Sequence, residues 1–217
     1  FSVMVHAQHA IIDSIQKQLA TNLPDTVRVL SMMRVAVAYE GIDTMRSAKA
    51  YREAIAFARS KKLEYQAGVI YQNYHFLLLN RGLYAEAEKY LDSAMFFIQK
   101  FNTPKAKESL GMIYGSFGSI ERYKGNYQKA IEYYSKAVKV YEEMGRQDRV
   151  VTPFLNISGL YKEMNDYVKQ EEYARLALTA AHKTGAKEKY FMPYTYLVYA
   201  LTMQNRYEAA IPFLDSS

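Results

Sequence analysis

Residues 110–141 read LGMIYGSFGSIERYKGNYQKAIEYYSKAVKVY. Apolar residues recur at helical spacing on both sides of Lys124-Gly125-Asn126, which predicts two amphipathic helices joined by a tight turn. Large side chains stand at Tyr114, Phe117, Tyr127 and Tyr134, and small ones at Gly118, Ala130 and Ala137. Helices approach to the close end of the ~8–10 Å range only where the contact is glycine or alanine. The small residues therefore belong to the seam of a helix hairpin. A lone hairpin leaves an apolar face bare, so neighbours are expected on both sides.

The same turn recurs along the chain at Gly41-Ile42-Asp43, Arg81-Gly82-Leu83, Met164-Asn165-Asp166 and Gln204-Asn205-Arg206. The residues that follow are Thr44, Tyr84, Tyr127, Tyr167 and Tyr207, spaced 40, 43, 40 and 40 apart. Three positions later stand Ser47, Ala87, Ala130, Gln170 and Ala210, and seven beyond those Ala54, Ala94, Ala137, Ala177 and Ser217. This register predicts helix-turn-helix blocks at about 25–63, 64–104, 105–147, 148–187 and 188–217, within one domain over 9–217. Ile11, Ile12, Ile15 and Leu19 predict a short leading helix over 9–20, broken by residues 22–24, with Asp25 or Thr26 as cap of the next helix. Gly145 and Gly185 share a register suited to left-handed helix ends. Pro153 and Pro193 mean that their helices begin near Thr152 and Met192 or are kinked there.

The hairpin at 110–141 resembles a tetratricopeptide repeat, through Tyr114, Phe117-Gly118, Gly125, Tyr127, Ala130, Tyr134 and Ala137. Glu121 departs from the pattern, replacing the usual tyrosine. The resemblance implies an all-α, right-handed solenoid of about five helix hairpins, the last truncated. The period exceeds the family's ~34 residues and resembles repeats of bacterial signalling and regulatory proteins. The stretches DSIQKQLATNLPDTVRVLSMM (13–33) and IDTMRSAKAYREAIAFA (42–58) resemble the start of the sensor regions of repeat-containing bacterial histidine kinases and response regulators.

The family holds a protein or peptide on its concave face, lined by the first helices. Carried over by register, the resemblance implies a groove of Gln72, Asn73, Phe76 and Asn80, then Gly115, Ser119, Arg122 and Tyr123, then Asn156, Lys162 and Tyr199. Met32, Ala36, Tyr39, Leu155, Gly159, Thr195 and Met203 extend the same face. Asn73 and Asn156 share one position, where an amide is able to bond a ligand backbone in both directions. The lysines of the chaperone-binding members are absent, since Gln72, Gly115 and Leu155 occupy those positions.

Composition excludes several classes. The net charge of +6 comes from 28 basic and 22 acidic residues, interspersed without the basic stripe of a nucleic-acid binder. No cysteine is present, so disulfides and thiolate sites are excluded. No stretch nears the ~18 apolar residues of a membrane span, so no membrane contact is expected in this segment. GMIYGSFG (111–118) lacks the Gly-Lys-Ser/Thr of a phosphate loop. His6, His9, His75 and His182 form no ligand set, and His75 reads as a packed imidazole. Glu142-Glu143 and Glu171-Glu172 diverge by about 100° on a helix. No catalytic residue, metal or cofactor is therefore expected. The expectation is a non-catalytic protein- or peptide-binding module, the N-terminal sensing part of a bacterial signal-transduction protein, with a free-standing scaffold as the alternative. FSVMVHAQ (1–8) reads as the end of a signal peptide, which places the module in the periplasm; as an ordinary first helical turn it leaves it in the cytoplasm. The final FLDSS falls mid-helix, so a downstream domain is the other expected occupant of the groove.

Overall fold

The computed structural model describes residues 2–185 and 189–214, with side chains from residue 8 onward. Among the described residues there are eleven α-helices and no strand. They are α1 (Ser2–Leu19), α2 (Asp25–Glu40), α3 (Thr44–Ser60), α4 (Glu64–Asn80), α5 (Tyr84–Ile98), α6 (Pro104–Tyr123), α7 (Tyr127–Glu143), α8 (Gln147–Glu163), α9 (Tyr167–Thr184), α10 (Phe191–Met203) and α11 (Tyr207–Leu214). After α1 they pair as successive hairpins, and the fold is all-α.

Each second helix opens at the residue that follows its turn, and the turns share one geometry. The N–H of Leu83 donates to the Leu78 carbonyl at 3.0 Å, Asn126 to Glu121 at 2.8 Å, and Asp166 and Arg206 to Tyr161 and Leu201 at 2.9 Å. This closure needs a left-handed residue one position earlier. Gly82 and Gly125 fill it with φ of 72° and 79°, and Asn165 and Asn205 with 58° and 59°. Asparagine tolerates that region better than other side chains do. The first turn differs: Gly41 stays right-handed at φ −86°, and the Asp43 carboxylate caps α3 by accepting from the N–H groups of Met45 and Arg46, both at 3.0 Å.

The hairpin seam explains the small residues. All nine described positions of the two small registers are buried. The exceptions to alanine there are polar: Ser47 Oγ donates to the Ala36 carbonyl at 2.8 Å, and Gln170 Nε2 to the Tyr196 carbonyl at 3.2 Å, while Gln170 Oε1 is buried without a hydrogen-bond partner among the described residues. Glycine serves the first helices similarly. A β-carbon at Gly118 would meet the Tyr134 ring at 2.6 Å, one at Gly111 the Tyr141 ring at 2.6 Å, and one at Gly68 the Ile98 side chain at 2.8 Å. All three distances fall well inside the ~3.5–4.0 Å optimum. Bulk is traded across the seam between neighbouring blocks: the register positions of Gly118 and Tyr134 hold His75 and Leu91 in the preceding block, although in the next both are small, Ser158 and Ala174. Those of Gly111 and Tyr141 hold Gly68 and Ile98, then Val151 and Ala181.

Contacts divide the chain into two compact units, Phe1–Ala106 and Lys107–Ser217, and the expected domain over 9–217 spans both. In the first unit α2 packs on α1, α3 and α4, and α4 packs on α5. Its core includes Ile12, Ile15 and Val35 at the α1 end, and Tyr74 between the rings of Tyr51 and Tyr90, with centroids 5.2 and 4.6 Å away. In the second unit α8 packs on α7, α9 and α10, and α10 on α11. Its core joins Tyr141, Val150 and Ala181, then Tyr134, Ile157 and Leu160, then Leu178, Leu197 and Leu201.

Several expectations change. The leading helix runs Ser2–Leu19, not 9–20, because residues 2–8 continue the same helix. Asp25 does not cap α2 through its side chain; its carboxylate pairs with Lys61 Nζ at 3.2 Å. Helix α8 begins at Gln147, well before Thr152, and carries Pro153 inside it. The Arg149 carbonyl therefore receives no helical bond from position 153. Pro193, by contrast, lies in the first turn of α10. Gly145 and Gly185 are left-handed, with φ of 67° and 68°. Phe1 and Ser217, from the expected signal remnant and small-residue register, lie outside the described residues.

Glu121, the departure from the repeat pattern, is buried. Burial pushes its carboxyl up, and Asn126, Lys124 and Lys129 together hold it below the ordinary carboxylate range. Asn126 Nδ2 donates to Oε2 at 2.9 Å, and the two ammonium groups lie 3.2 and 3.4 Å from Oε1. The same register is filled by Leu78, Tyr161 and Leu201, all buried. Replacing a buried charge and its bonds by a well-fitting apolar residue is often neutral or stabilising. Glu121→Leu is therefore expected to leave stability unchanged or raise it by about 1 kcal/mol, while Glu121→Ala lowers it by about 1–2 kcal/mol through the void. Urea unfolding of both variants checks the sign.

Candidate functional site

The first helices of the second unit carry side chains that reach from one helix to the next. The Arg122 guanidinium on α6 grips the Glu163 carboxylate at the end of α8, with Nε at 3.0 Å from Oε1 and Nη2 bonded to the same oxygen. Lys162 Nζ on α8 stands 4.1 Å from the centroid of the Tyr199 ring on α10, a cation–π contact. Ser119 Oγ donates to the Gly115 carbonyl at 3.2 Å and lies 3.1 Å from the Tyr134 hydroxyl, which ties this face to the seam below it. Tyr123 is 60% exposed and Tyr199 37% exposed, so two aromatic rings stand open to solvent. Gly115 faces open space, with nothing within 4 Å of where a β-carbon would lie. Asn156 is half-buried on the middle helix.

Of the eleven groove residues expected from the sequence, seven lie in this unit: Gly115, Ser119, Arg122, Tyr123, Asn156, Lys162 and Tyr199. The other four, Gln72, Asn73, Phe76 and Asn80, lie on α4 of the first unit. Gln72 is 4% exposed and presents no surface, because its helix position turns inward beside Tyr71. The Asn73 amide is only partly exposed, and its Nδ2 donates to the Val69 carbonyl of its own helix at 2.8 Å. Phe76 and Asn80 are exposed. From the wider list, Ala36 and Gly159 are buried and line no groove. Glu163 and the Tyr134 hydroxyl were not anticipated. Glu163 lies 41 residues after Arg122, one repeat plus one position, and a charge of opposite sign at that offset is the sequence signal that marks it.

No group of three His, Asp or Glu side chains able to hold a metal ion occurs among the described residues. No described helix is long and apolar enough to cross a membrane. Glu171 and Glu172 do diverge: Glu171 is buried and bonded to Arg175, Gln204 and Arg206, while Glu172 is exposed.

The helix hairpin that contributes α6 and α7 carries the repeat signature most fully. Residues 113–144 match the tetratricopeptide repeat family. No match is found among curated proteins. Solved structures of the same fold are numerous. BtubC from P. vanneervenii superposes with a TM-score of 0.80 at 14% identity, over 99% of this chain and 88% of that one. A Rap protein complexed with competence and sporulation factor gives 0.69 at 16% identity, over 94% of this chain and 67% of that one. Aspartyl phosphate phosphatase F from Bacillus subtilis gives 0.74 at 15% identity, over 98% of this chain but 59% of that one. At such identities the likeness concerns the fold. The family match covers one hairpin, residues 113–144, and the solved structures share the fold that surrounds it.

Proposed function

We propose that this chain is a non-catalytic protein-binding module, and that the α6, α8 and α10 face of residues 107–217 takes a peptide or protein segment. The observation that carries this reading is the ordered row of side chains across three consecutive first helices. Arg122–Glu163 and Lys162–Tyr199 fix the row in place before a ligand arrives, so little side-chain entropy remains to be lost on binding. Exposed tyrosines, an amide and pinned charges are the composition of a specific interface centre and rim. The repeat fold, which generally serves as a binding scaffold, supports the reading.

The finer reading is that the module is the sensing part of a bacterial signal-transduction protein, exported if residues 1–8 end a signal peptide. Binding would then be passed to a domain encoded after Ser217. A coding sequence that continues into a membrane span and a kinase or DNA-binding domain supports it; a stop codon within about one helix favours a free-standing scaffold.

Site-specific photo-cross-linking in the native cells tests the face itself. A cross-linking amino acid at Asn156 and at Tyr199 is expected to give the same adduct, and one at Ser135, exposed on α7, none. Arg122→Ala is expected to weaken that adduct about tenfold, which corresponds to ~1.4 kcal/mol. Equal labelling from all three positions would sink the assignment.

A further inference from the structure

A second surface, confined to the first unit, has the features of a ligand site. Where α3 ends and α4 begins, Leu63, Tyr65, Ala67, Phe97 and Phe101 line a cleft of about 680 Å³, within the size range of small-ligand sites. Its wall is the edge-to-face pair of Tyr65 and Phe101, with centroids 5.3 Å apart. Past that pair the apolar surface continues into a recess lined by Thr103, Pro104 and Lys105. The rim is cationic. Arg59, Lys62 and Lys105 are exposed, and none has a carboxylate within 4.0 Å among the described residues. The carboxylate lining the cleft, Glu64, is already engaged by Lys100 Nζ at 2.8 Å.

The backbone supplies an independent observation. Lys62 has φ of 55°, in the left-handed region. The connectors after α7 and α9 place Gly145 and Gly185 in that conformation. A β-carbon is sterically costly there, and the other described left-handed residues are glycine or asparagine, the types that tolerate it, whereas Lys62 is neither. A strained residue that persists at a cleft points to a role for its side chain.

We propose that this cleft binds an acidic peptide segment with an aromatic anchor. The anchor ring packs against Tyr65 and Phe101, and flanking carboxylates meet Arg59, Lys62 and Lys105. A short cleft with apolar walls suits one side chain and its neighbours, whereas a nucleic-acid backbone needs an extended basic track. The site is separate from the α6, α8 and α10 face and stands or falls apart from it.

Fluorescence anisotropy with the full chain tests this, using labelled Asp-Glu-Phe-Asp-Asp as the probe. Submillimolar binding is expected at low salt, weakening as salt rises. Asp-Glu-Ala-Asp-Asp and Lys-Lys-Phe-Lys-Lys are each expected to bind at least about tenfold more weakly. Phe101→Ala removes the wall and loses about tenfold in affinity. Lys62→Gly cannot fail through misfolding of the turn: it is expected to weaken binding about threefold while raising the thermal midpoint by about 2–4 °C. That opposition of affinity and stability is a result a purely structural lysine would not give. Wild-type affinity in both variants overturns the proposal, as does equal binding of the lysine peptide or tighter binding of single-stranded DNA or anionic vesicles.

Discussion

Tyr134→Ala is expected to lower the unfolding free energy of the second unit by about 3–5 kcal/mol, the range for truncating a large buried ring. Tyr134 is 1% exposed and packs with Ala130, Ile157, Leu160 and Tyr161. Its ring fills the space beside Gly118, and its hydroxyl meets Ser119. Truncation therefore opens a void and strips Ser119 of a partner. Gly118→Ala attacks the same contact from the other side, by forcing a carbon to within 2.6 Å of a ring that has nowhere to go. Its expected cost is about 1–3 kcal/mol. The informative experiment combines Gly118→Ala with Tyr134→Leu. The preceding block shows the exchanged arrangement, with His75 and Leu91 at these positions, both buried. The double variant should therefore be more stable than the sum of the singles predicts, by about 1–2 kcal/mol. Urea unfolding followed by circular dichroism reads this, and strict additivity would refute the exchange of bulk across the seam.

Acidification from pH 7 to pH 4 is expected to destabilise the first unit by about 3 kcal/mol through His75 alone. The ring is fully buried, and burial pushes its pKa down from 6.5 to about 4. Nδ1 bonds to the Gln72 carbonyl, whereas Nε2 is buried without a hydrogen-bond partner among the described residues. A proton added at Nε2 would find no acceptor. The unfolded chain binds that proton below about pH 6.5 and the folded chain only below about pH 4, so stability falls with pH between those values and levels off beneath them. Glu40, whose carboxyl burial raises, acts in the opposite sense. The measurement is therefore the difference between wild type and His75→Leu, followed by urea midpoint against pH. Parallel curves would show that His75 does not titrate in this way.

Turns and seams were legible because they are local or periodic. Glycine and asparagine before Tyr84, Tyr127, Tyr167 and Tyr207 announce tight turns, Gly145 and Gly185 announce left-handed helix ends, and alanine at fixed offsets announces close packing. Depth was less legible. Gln72 and Phe76 stand one turn apart on α4, yet one is covered and the other exposed, because register gives a face without giving what lies over it. Side-chain pairings at a distance were harder still. Asp25 leaves its own helix end for Lys61 at the far end of the same hairpin, and Arg122 finds Glu163 in the next one, a contact that depends on how successive hairpins lean. Lys62 was invisible for another reason: it sits where a glycine would have signalled the bend.

The exchange of bulk across each seam has a consequence for how such an array diversifies. A helix is not a transferable part here. Bringing α4 against α7 would set His75 against Tyr134, two large groups competing for one space, and bringing α6 against α9 would set Gly111 against Ala181, where Val151 packs now, and leave a hole. Only a whole hairpin carries a matched pair with it. Duplication, swapping or grafting should therefore succeed when its breakpoints fall in the connectors between hairpins, such as residues 61–63 or 144–146, and fail when they fall in the turns within them.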